Sequence, residues 1–311
     1  MKTILLCILI MLVLCLALIY GLIPAEIKVT DHAYAACIPK NIADCLRNDN
    51  AWKKWWPAET SDSGIFAFGN CNYKLTEPFT DGANIQLYKN DRSISTRIFV
   101  IPAGRDSSIV EWRALLNPGF NPVRRVVQWF QAKQIKDNIH SLLDTLVFFA
   151  SKTENIYGFP IERTTFKDTI LAATKFSSSS YPTTQAIYKA VEQLKDKIKQ
   201  DSAQEKDFPM LNVRQDDTHH FETMIAICVN KEINRTREFF PSRMVPMKDR
   251  FLKTEVTGGP GSIRNAHDAI EAYMRDRFLS APAIPFEILI TDRSREPDTA
   301  KWKTTIFHPS M

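Results

Sequence analysis

FLKTEVTGGPGSIRNAHDAIEAYMRDRFLSAPAIPFEILITDRSREPDTAKWKTTIFHP, residues 251–309, reads as one strand, one helix and two further strands. RFLKTEVTG is rich in strand formers. Residues 262–279 place Ala266, Ile270 and Tyr273 on one helical face. AIPFEILITD and KWKTTIFHP are the two closing strands. The same order occurs upstream. Residues 166–176 form a strand, and residues 183–200 form a helix with Ile187, Val191, Leu194 and Ile198 on one face and Pro182 at its start. DFPMLNVRQ and HHFETMIAICV follow as strands. Detail recurs too: Phe208-Pro209-Met210 enters one strand as Ile284-Pro285-Phe286 enters its counterpart. Neither β-α-β-β unit can bury its sheet alone. The pair is predicted to share one sheet about a pseudo-twofold, with a groove on the face away from the helices.

Upstream, residues 26–158 follow a different plan. EIKVTDHAYAACI reads as a strand, and Pro39-Lys40-Asn41 opens a short helix, NIADCLRN. Trp52, Trp55, Trp56 and Pro57 form an aromatic plug. NYKLTEP, ANIQLYKN, ISTRIFVIP and SIVEWRALL are apolar-alternating runs. They are separated by turn clusters at Thr80-Asp81-Gly82, Asn90-Asp91 and Ala103-Gly104-Arg105-Asp106, as antiparallel hairpins require. Asn117-Pro118-Gly119 stops the last strand. A long helix over 122–151 then sets Ile135, Ile139, Leu142, Leu146 and Phe149 on one face. A curved sheet wrapped on one long helix is predicted, enclosing a cavity for an apolar ligand. Thr153-Glu154-Asn155, Gly158 and Pro160 interrupt regular structure and mark a boundary between two domains, 26–155 and 160–311.

Residues 4–23, ILLCILIMLVLCLALIYGLI, are apolar throughout, and no charge lies between Lys2 and Glu26. About 20 such residues are long enough to cross a bilayer as a helix. A cleaved signal has a shorter apolar core and a small-x-small site, and Ala33, Ala35 and Ala36 lie too far downstream to serve. Leu14 before Cys15 makes a poor lipoprotein box. Residues 1–25 are therefore expected to be a single-pass membrane anchor. Lys2 favours a cytoplasmic N-terminus, a bias that Lys28 and Lys40 weaken, and the globular part is expected to be extracytoplasmic.

The composition excludes several classes. With 44% hydrophobic and 24% charged residues, the chain is not mainly disordered, and 10 glycines exclude a collagen-like repeat. The net charge of +5 comes with no dense basic run, so no nucleic-acid partner is expected. Cys7 and Cys15 lie in the anchor, and Cys37, Cys45, Cys71 and Cys228 form no CxxC. They read as buried small hydrophobes, although export would permit a disulfide among Cys37, Cys45 and Cys71.

NAWKKWWP, after a strand and a short helix, resembles the opening of START-like polyketide cyclase and lipid-transport (SRPBCC) domains over residues 26–155. DTILAATKF, SYPTTQAIYKAVEQL, FPMLNVR, TGGPGSI, PFEILITD and PDTAKWKTTIFHP resemble, in order, the GyrI-like small-molecule-binding family, the AraC-type effector-binding domain, over 160–311. That resemblance implies a duplicated β-α-β-β fold with a central pocket for amphipathic, often cationic or aromatic, ligands. Some members of that family are regulators with a helix-turn-helix, some bind gyrase, and a few hydrolyse strained cyclopropane compounds. No helix-turn-helix precedes the second domain here, which disfavours a transcription factor. The family's pocket carboxylate matches Glu287 in PFEIL. The aromatic that usually follows two residues later is Leu289 here, which puts a stacking contact there in doubt.

Strand alternation supports Glu287 independently. Phe286, Ile288 and Ile290 share one face, expected under the helices, while Glu287, Leu289 and Thr291 share the other, expected in the groove. A carboxylate in an apolar groove attracts a ligand cation. Trp302, on the final strand, is a candidate to stack on that ligand, and Tyr188 a candidate to offer its hydroxyl. The plainer readings are an exposed strand glutamate, a rim tryptophan and a packing tyrosine. Asp216-Asp217-Thr218-His219-His220 reads as a polar hairpin, because adjacent strand histidines point to opposite faces. TGGPGS reads as a tight turn with Ser262 as N-cap. No GxSxG, triad, metal or cofactor motif emerges, so no catalytic residue, metal or cofactor is expected.

The expected protein is a membrane-anchored, non-catalytic binder that sequesters or senses small molecules. It would hold an apolar ligand in the first domain and an amphipathic, possibly cationic one in the second. The rival is a small-molecule hydrolase in which Glu287 orients water, favoured if a buried tyrosine or histidine partners it. A third reading is a groove for a peptide or protein.

Overall fold

The computed structural model describes residues 2–58, 64–89, 92–166, 169–215, 220–244 and 248–311. The fold is α+β, and the chain divides into two compact units, Met1–Lys152 and Thr153–Met311. The first begins with helix α1 (Lys2–Leu22), followed by β1 (Ile27–Ala35), α2 (Pro39–Leu46) and α3 (Asp49–Trp55). Strands β2 (Phe66–Phe68), β3 (Cys71–Phe79), β4 (Gly82–Lys89), β5 (Arg92–Gly104) and β6 (Ser107–Leu116) precede the long helix α4 (Pro122–Ala150). The strands form one antiparallel sheet in the order β1-β6-β5-β4-β3-β2. Local chemistry sets the helix starts: Asn48 accepts from Ala51 N–H ahead of α3, and Asn121 accepts from Arg124 N–H ahead of α4. Thr3–Leu22 is 20 residues long and apolar enough to cross a membrane, a signature that signal sequences share.

Ile135, Ile139, Leu142 and Leu146 of α4 are fully buried, while Phe149 is only half-buried. The interior expected to hold a ligand is occupied by the chain's own rings. Trp52 stacks on Trp56 at 5.2 Å, Trp56 meets Tyr73 at 5.4 Å, and Tyr73 meets Trp112 edge-on at 5.8 Å. Cys37, Cys45 and Cys71 are buried free thiols, so none of them forms a disulfide. Burial pushes the Cys45 thiol up to about 12, leaving it unreactive. The turn expected at Asn90-Asp91 lies outside the described residues.

The second unit contains α5 (Thr153–Tyr157), β7 (Glu162–Thr164), β8 (Thr169–Ser178), α6 (Thr184–Gln200), β9 (Met210–Gln215), β10 (Phe221–Val229) and β11 (Phe239–Met244). Next come β12 (Phe251–Thr257), α7 (Pro260–Asp276), β13 (Phe286–Leu289) and β14 (Lys303–Pro309). The sheet order is β11-β8-β10-β9-β13-β14-β12-β7. Read from its middle, this order is symmetric: β9 and β13 meet at the centre, then β10 and β14, then β8 and β12. That is the predicted pseudo-twofold. The seam is antiparallel and pairs Glu287 with Leu211 and Ile288 with Met210.

Several local expectations are corrected. The sequence reading of 166–279 has no counterpart of β11 (Phe239–Met244). This strand carries Pro241, which a strand tolerates at a sheet edge, and β11 is an edge strand. Helix α7 starts at Pro260 with Gly259 as N-cap, so Ser262 lies inside the first turn and is not the cap. Trp302 precedes the last strand. Asp298 accepts from Ala300 N–H and caps a 3₁₀ turn, Thr299–Lys301, that ends at Trp302.

Trp112 should show how far the first unit depends on its ring cluster. Its side chain is fully buried, and its Nε1–H donates to Thr96 Oγ1 at 2.9 Å. Trp112→Phe removes ring volume and that hydrogen bond, and should cost about 2 kcal/mol in denaturant unfolding of the full chain. A loss below about 0.5 kcal/mol, the scale of a surface change, would mean that the cluster is not a stabilising core.

Candidate ligand site

Residues directly opposite each other across an antiparallel pair share a face. Leu211 packs under α6 with Ile187, Val191 and Leu289. Ile306, which pairs with Glu287 from β14, packs under α7 with Ile263 and Ile270. Glu287 therefore lies on the helix-covered face, between the two helical clusters. Phe286 and Ile288 point to the opposite face and pack with Leu171, Met210, Phe251 and Phe307 in a cluster without helix residues. The faces are thus the reverse of the sequence-based assignment. FEIL is buried at all four positions, so its alternation carried no inside-outside signal.

Glu287 is 8% exposed. Its Oε2 accepts from Arg293 Nη2 at 3.0 Å, and the same nitrogen donates to Thr304 Oγ1 at 2.8 Å. The Arg293 guanidinium lies 4.9 Å from the Trp302 ring centroid. The Tyr188 hydroxyl accepts from Arg293 N–H at 2.8 Å and donates to Thr291 O at 3.0 Å. All three residues singled out from the sequence thus converge on Arg293, which sequence reading missed. No periodicity could have found it: TDRSREPD is a loop holding two arginines, and the Arg295 side chain is 87% exposed. Glu287 and Trp302 hold the Arg293 guanidinium, while Tyr188 holds the Arg293 backbone.

Two histidines complete the cluster. His267 Nε2 of α7 lies 3.6 Å from Glu287 Oε1, and His267 Nδ1 shares a 2.8 Å hydrogen bond with His308 Nε2. Burial alone would push the Glu287 carboxyl up, but His267 and Arg293 together hold it below the usual carboxylate range. Burial, reinforced by His267, pushes His308 down to about 3.

On the other face of the sheet lies a cavity of about 230 Å³. Leu171, Met210, Met224, Ala226, Phe251 and Phe286 line it, with Asn212, Ser242 and Arg243 as its polar groups. Phe286 and Phe307 stack beside it at 5.2 Å. Glu287 is not among its walls. Among the described residues, no group of three or more His, Cys, Asp or Glu could hold a metal, and residues 216–219 of the sequence-predicted polar hairpin lie outside them.

No protein-family model matches the chain, and no curated protein matches it. Among solved structures, the C-terminal domain of EcmrR is 13% identical with a TM-score of 0.42, over 49% of this chain and 98% of that one. A hydrolase from Listeria innocua is 11% identical with a TM-score of 0.35, over 49% of this chain and 91% of that one. A START-superfamily protein from Mycobacterium smegmatis is 13% identical with a TM-score of 0.26, over 38% of this chain and 98% of that one. All are too distant for a role to be carried over, so the functional reading comes from the chain's own residues.

The buried cluster makes stability depend on pairing and on pH. Arg293→Met strands a buried carboxylate and should cost about 3–5 kcal/mol, and adding Glu287→Gln should recover much of that. The unfolded chain binds a proton at His308 near its ordinary value of about 6.5, whereas the folded chain resists until about 3. Stability should therefore fall as the pH drops below about 6.5, with the lowered Glu287 adding in the same direction at more acid pH. Denaturant midpoints against pH should show a shallower acid slope for His308→Gln. An unchanged slope would show that His308 is not buried neutral.

Proposed function

We propose that this is a membrane-anchored, non-catalytic small-molecule-binding protein whose main binding place is the apolar cavity on the helix-free face of the second unit. The cavity itself carries the reading. Three methionines, Met210, Met224 and Met244, give it adaptable walls, and Asn212 and Ser242 supply polar points for an amphipathic ligand. The resemblance to effector-binding domains agrees in ligand class. The apolar run of α1 supports the anchor, with residues 26–155 and 160–311 as separate domains and the globular part extracytoplasmic. Sequestration or sensing is the work proposed, with no nucleic-acid partner. An apolar ligand in the first unit would have to displace or reshape its ring-filled interior.

A second reading has its own support. Glu287 and Trp302 already hold a planar cation, the Arg293 guanidinium, so a ligand cation could bind there by taking its place. The hydrolase reading draws on His267 beside Glu287. A carboxylate paired with an arginine and held below its usual range is a poor general base, so this arrangement favours binding over water activation.

Native mass spectrometry of the purified full chain should reveal a co-purified small molecule. The neutral probe N-phenyl-1-naphthylamine should bind the wild type, and Ala226→Phe, which fills the cavity, should weaken it about tenfold or more. Glu287→Gln should leave that probe unaffected. If tetraphenylphosphonium binds and loses about 1–3 kcal/mol in Glu287→Gln, the second reading gains. Equal probe affinity in wild type and Ala226→Phe would remove the cavity as the site.

A further inference from the structure

The first turns of α4 carry an apolar surface that the first unit leaves uncovered. Val123, Val127 and Phe130 recur at steps of four and three and form one stripe, which Phe120 extends just ahead of the helix. Phe120 is 85% exposed, Val123 70% and Phe130 60%. Trp129 meets Phe130 edge-on at 5.2 Å and is itself 48% exposed. The stripe lies across the helix from Ala132 and Ile135, which are buried in the unit. A helix that is apolar on both its inner and outer sides needs a second apolar surface outside it.

Position says what that surface is. The Tyr20 hydroxyl donates to Phe120 O at 2.5 Å, and Arg125 Nη1 donates to Ile23 O at 2.8 Å. Arg125 Nε also donates to Gly119 O at 2.9 Å, and its guanidinium lies 4.5 Å from the Tyr20 ring centroid. These contacts clamp the start of α4 to the end of α1, so the stripe sits where α1 would leave a bilayer. Charge agrees. No acidic residue lies between Glu111 and Asp137, while Arg124, Lys133 and Lys136 flank the stripe and are exposed. Aromatic rings among basic side chains suit the boundary between acyl chains and anionic headgroups.

We propose that the first turns of α4 lie in the interface of the same bilayer that α1 spans, with Phe120, Val123, Val127 and Phe130 among the acyl chains and Trp129 at the headgroup boundary. This second contact holds the first unit in one orientation on the lipid surface. The inference rests on α1 being a retained anchor.

Trp129 reports on it directly. Of the six tryptophans, the other five are at most 7% exposed. The full chain would be reconstituted into vesicles of phosphatidylcholine and phosphatidylglycerol, with and without acyl chains brominated near the glycerol end. The expected result is bromine-dependent quenching in the wild type that Trp129→Phe abolishes. Val127→Asp with Phe130→Asp should float with the vesicles as the wild type does but lose most of the quenching. Protein that floats yet emits identically in both vesicle types overturns the proposal, whether the stripe is then wet or covered by a second copy. Protein that fails to float overturns the anchor reading, and the interfacial contact with it.

Discussion

The second unit depends on a seam of two residue pairs. Where β9 meets β13, Leu211 faces Glu287 and Met210 faces Ile288, and this register makes two half-sheets into one. Sheet alternation has a period of two, so the seam fixes the facing of every residue on both sides at once. Leu211 lies under α6, in one apolar cluster with Ala172, Ile225 and Ile227 from the neighbouring strands of its half. Glu287 then has no choice of face: it is carried into the helix-covered layer with Leu211. A slip of one residue would bring Glu287 to the cavity face and Ile288 under the helices, and would take Leu289 away from the α6 cluster.

A charge forced into that layer needs a partner, and the loop after β13 supplies one. Arg293 reaches back to Glu287, is shared with Thr304, and lies over Trp302, while Tyr188 holds its backbone N–H. The arrangement is not fully satisfied, since Arg293 Nε is buried without a hydrogen-bond partner. A soluble cation competing for Glu287 meets a tethered rival at high effective concentration. It also has to leave Arg293 with somewhere else to go. The cavity on the opposite face carries neither cost, which is why the reading that places the ligand in the cavity stands ahead of the cationic one.

The repeat was legible because each half writes its helix with a period near four and its strands with a period of two. The six-stranded sheet was legible from its turn clusters. What stayed hidden had no periodic signature. In FEIL both faces are covered, one by helices and the other by the curved sheet's own apolar cluster, so the glutamate's side could not be read from its neighbours. Arg293 sits in a loop whose residues answer to distance and not to spacing. Helix α3 is seven residues long, too short to repeat a face, so its tryptophans read only as bulk. The family resemblance singled out Glu287 as a pocket carboxylate, yet could not say that this chain brings its own cation to it.

Helix α4 shows the same limit from the other side. Its later turns display a clear stripe, Ile135, Ile139, Leu142 and Leu146, because water faces the rest of their circumference. Its first turns, VRRVVQWFQA, show no single stripe, since the outer row Val123, Val127 and Phe130 stands across the helix from the buried Ala132. Missing amphipathicity usually counts against a surface helix. Here it marks the stretch whose outer side does not face water, if α1 lies in a bilayer. Arg125 makes the point in a single residue. In a soluble helix a buried arginine without a carboxylate partner would be a defect. Set against Ile23 O, Gly119 O and the Tyr20 ring, it caps the end of an apolar helix and fixes the turn into the next element.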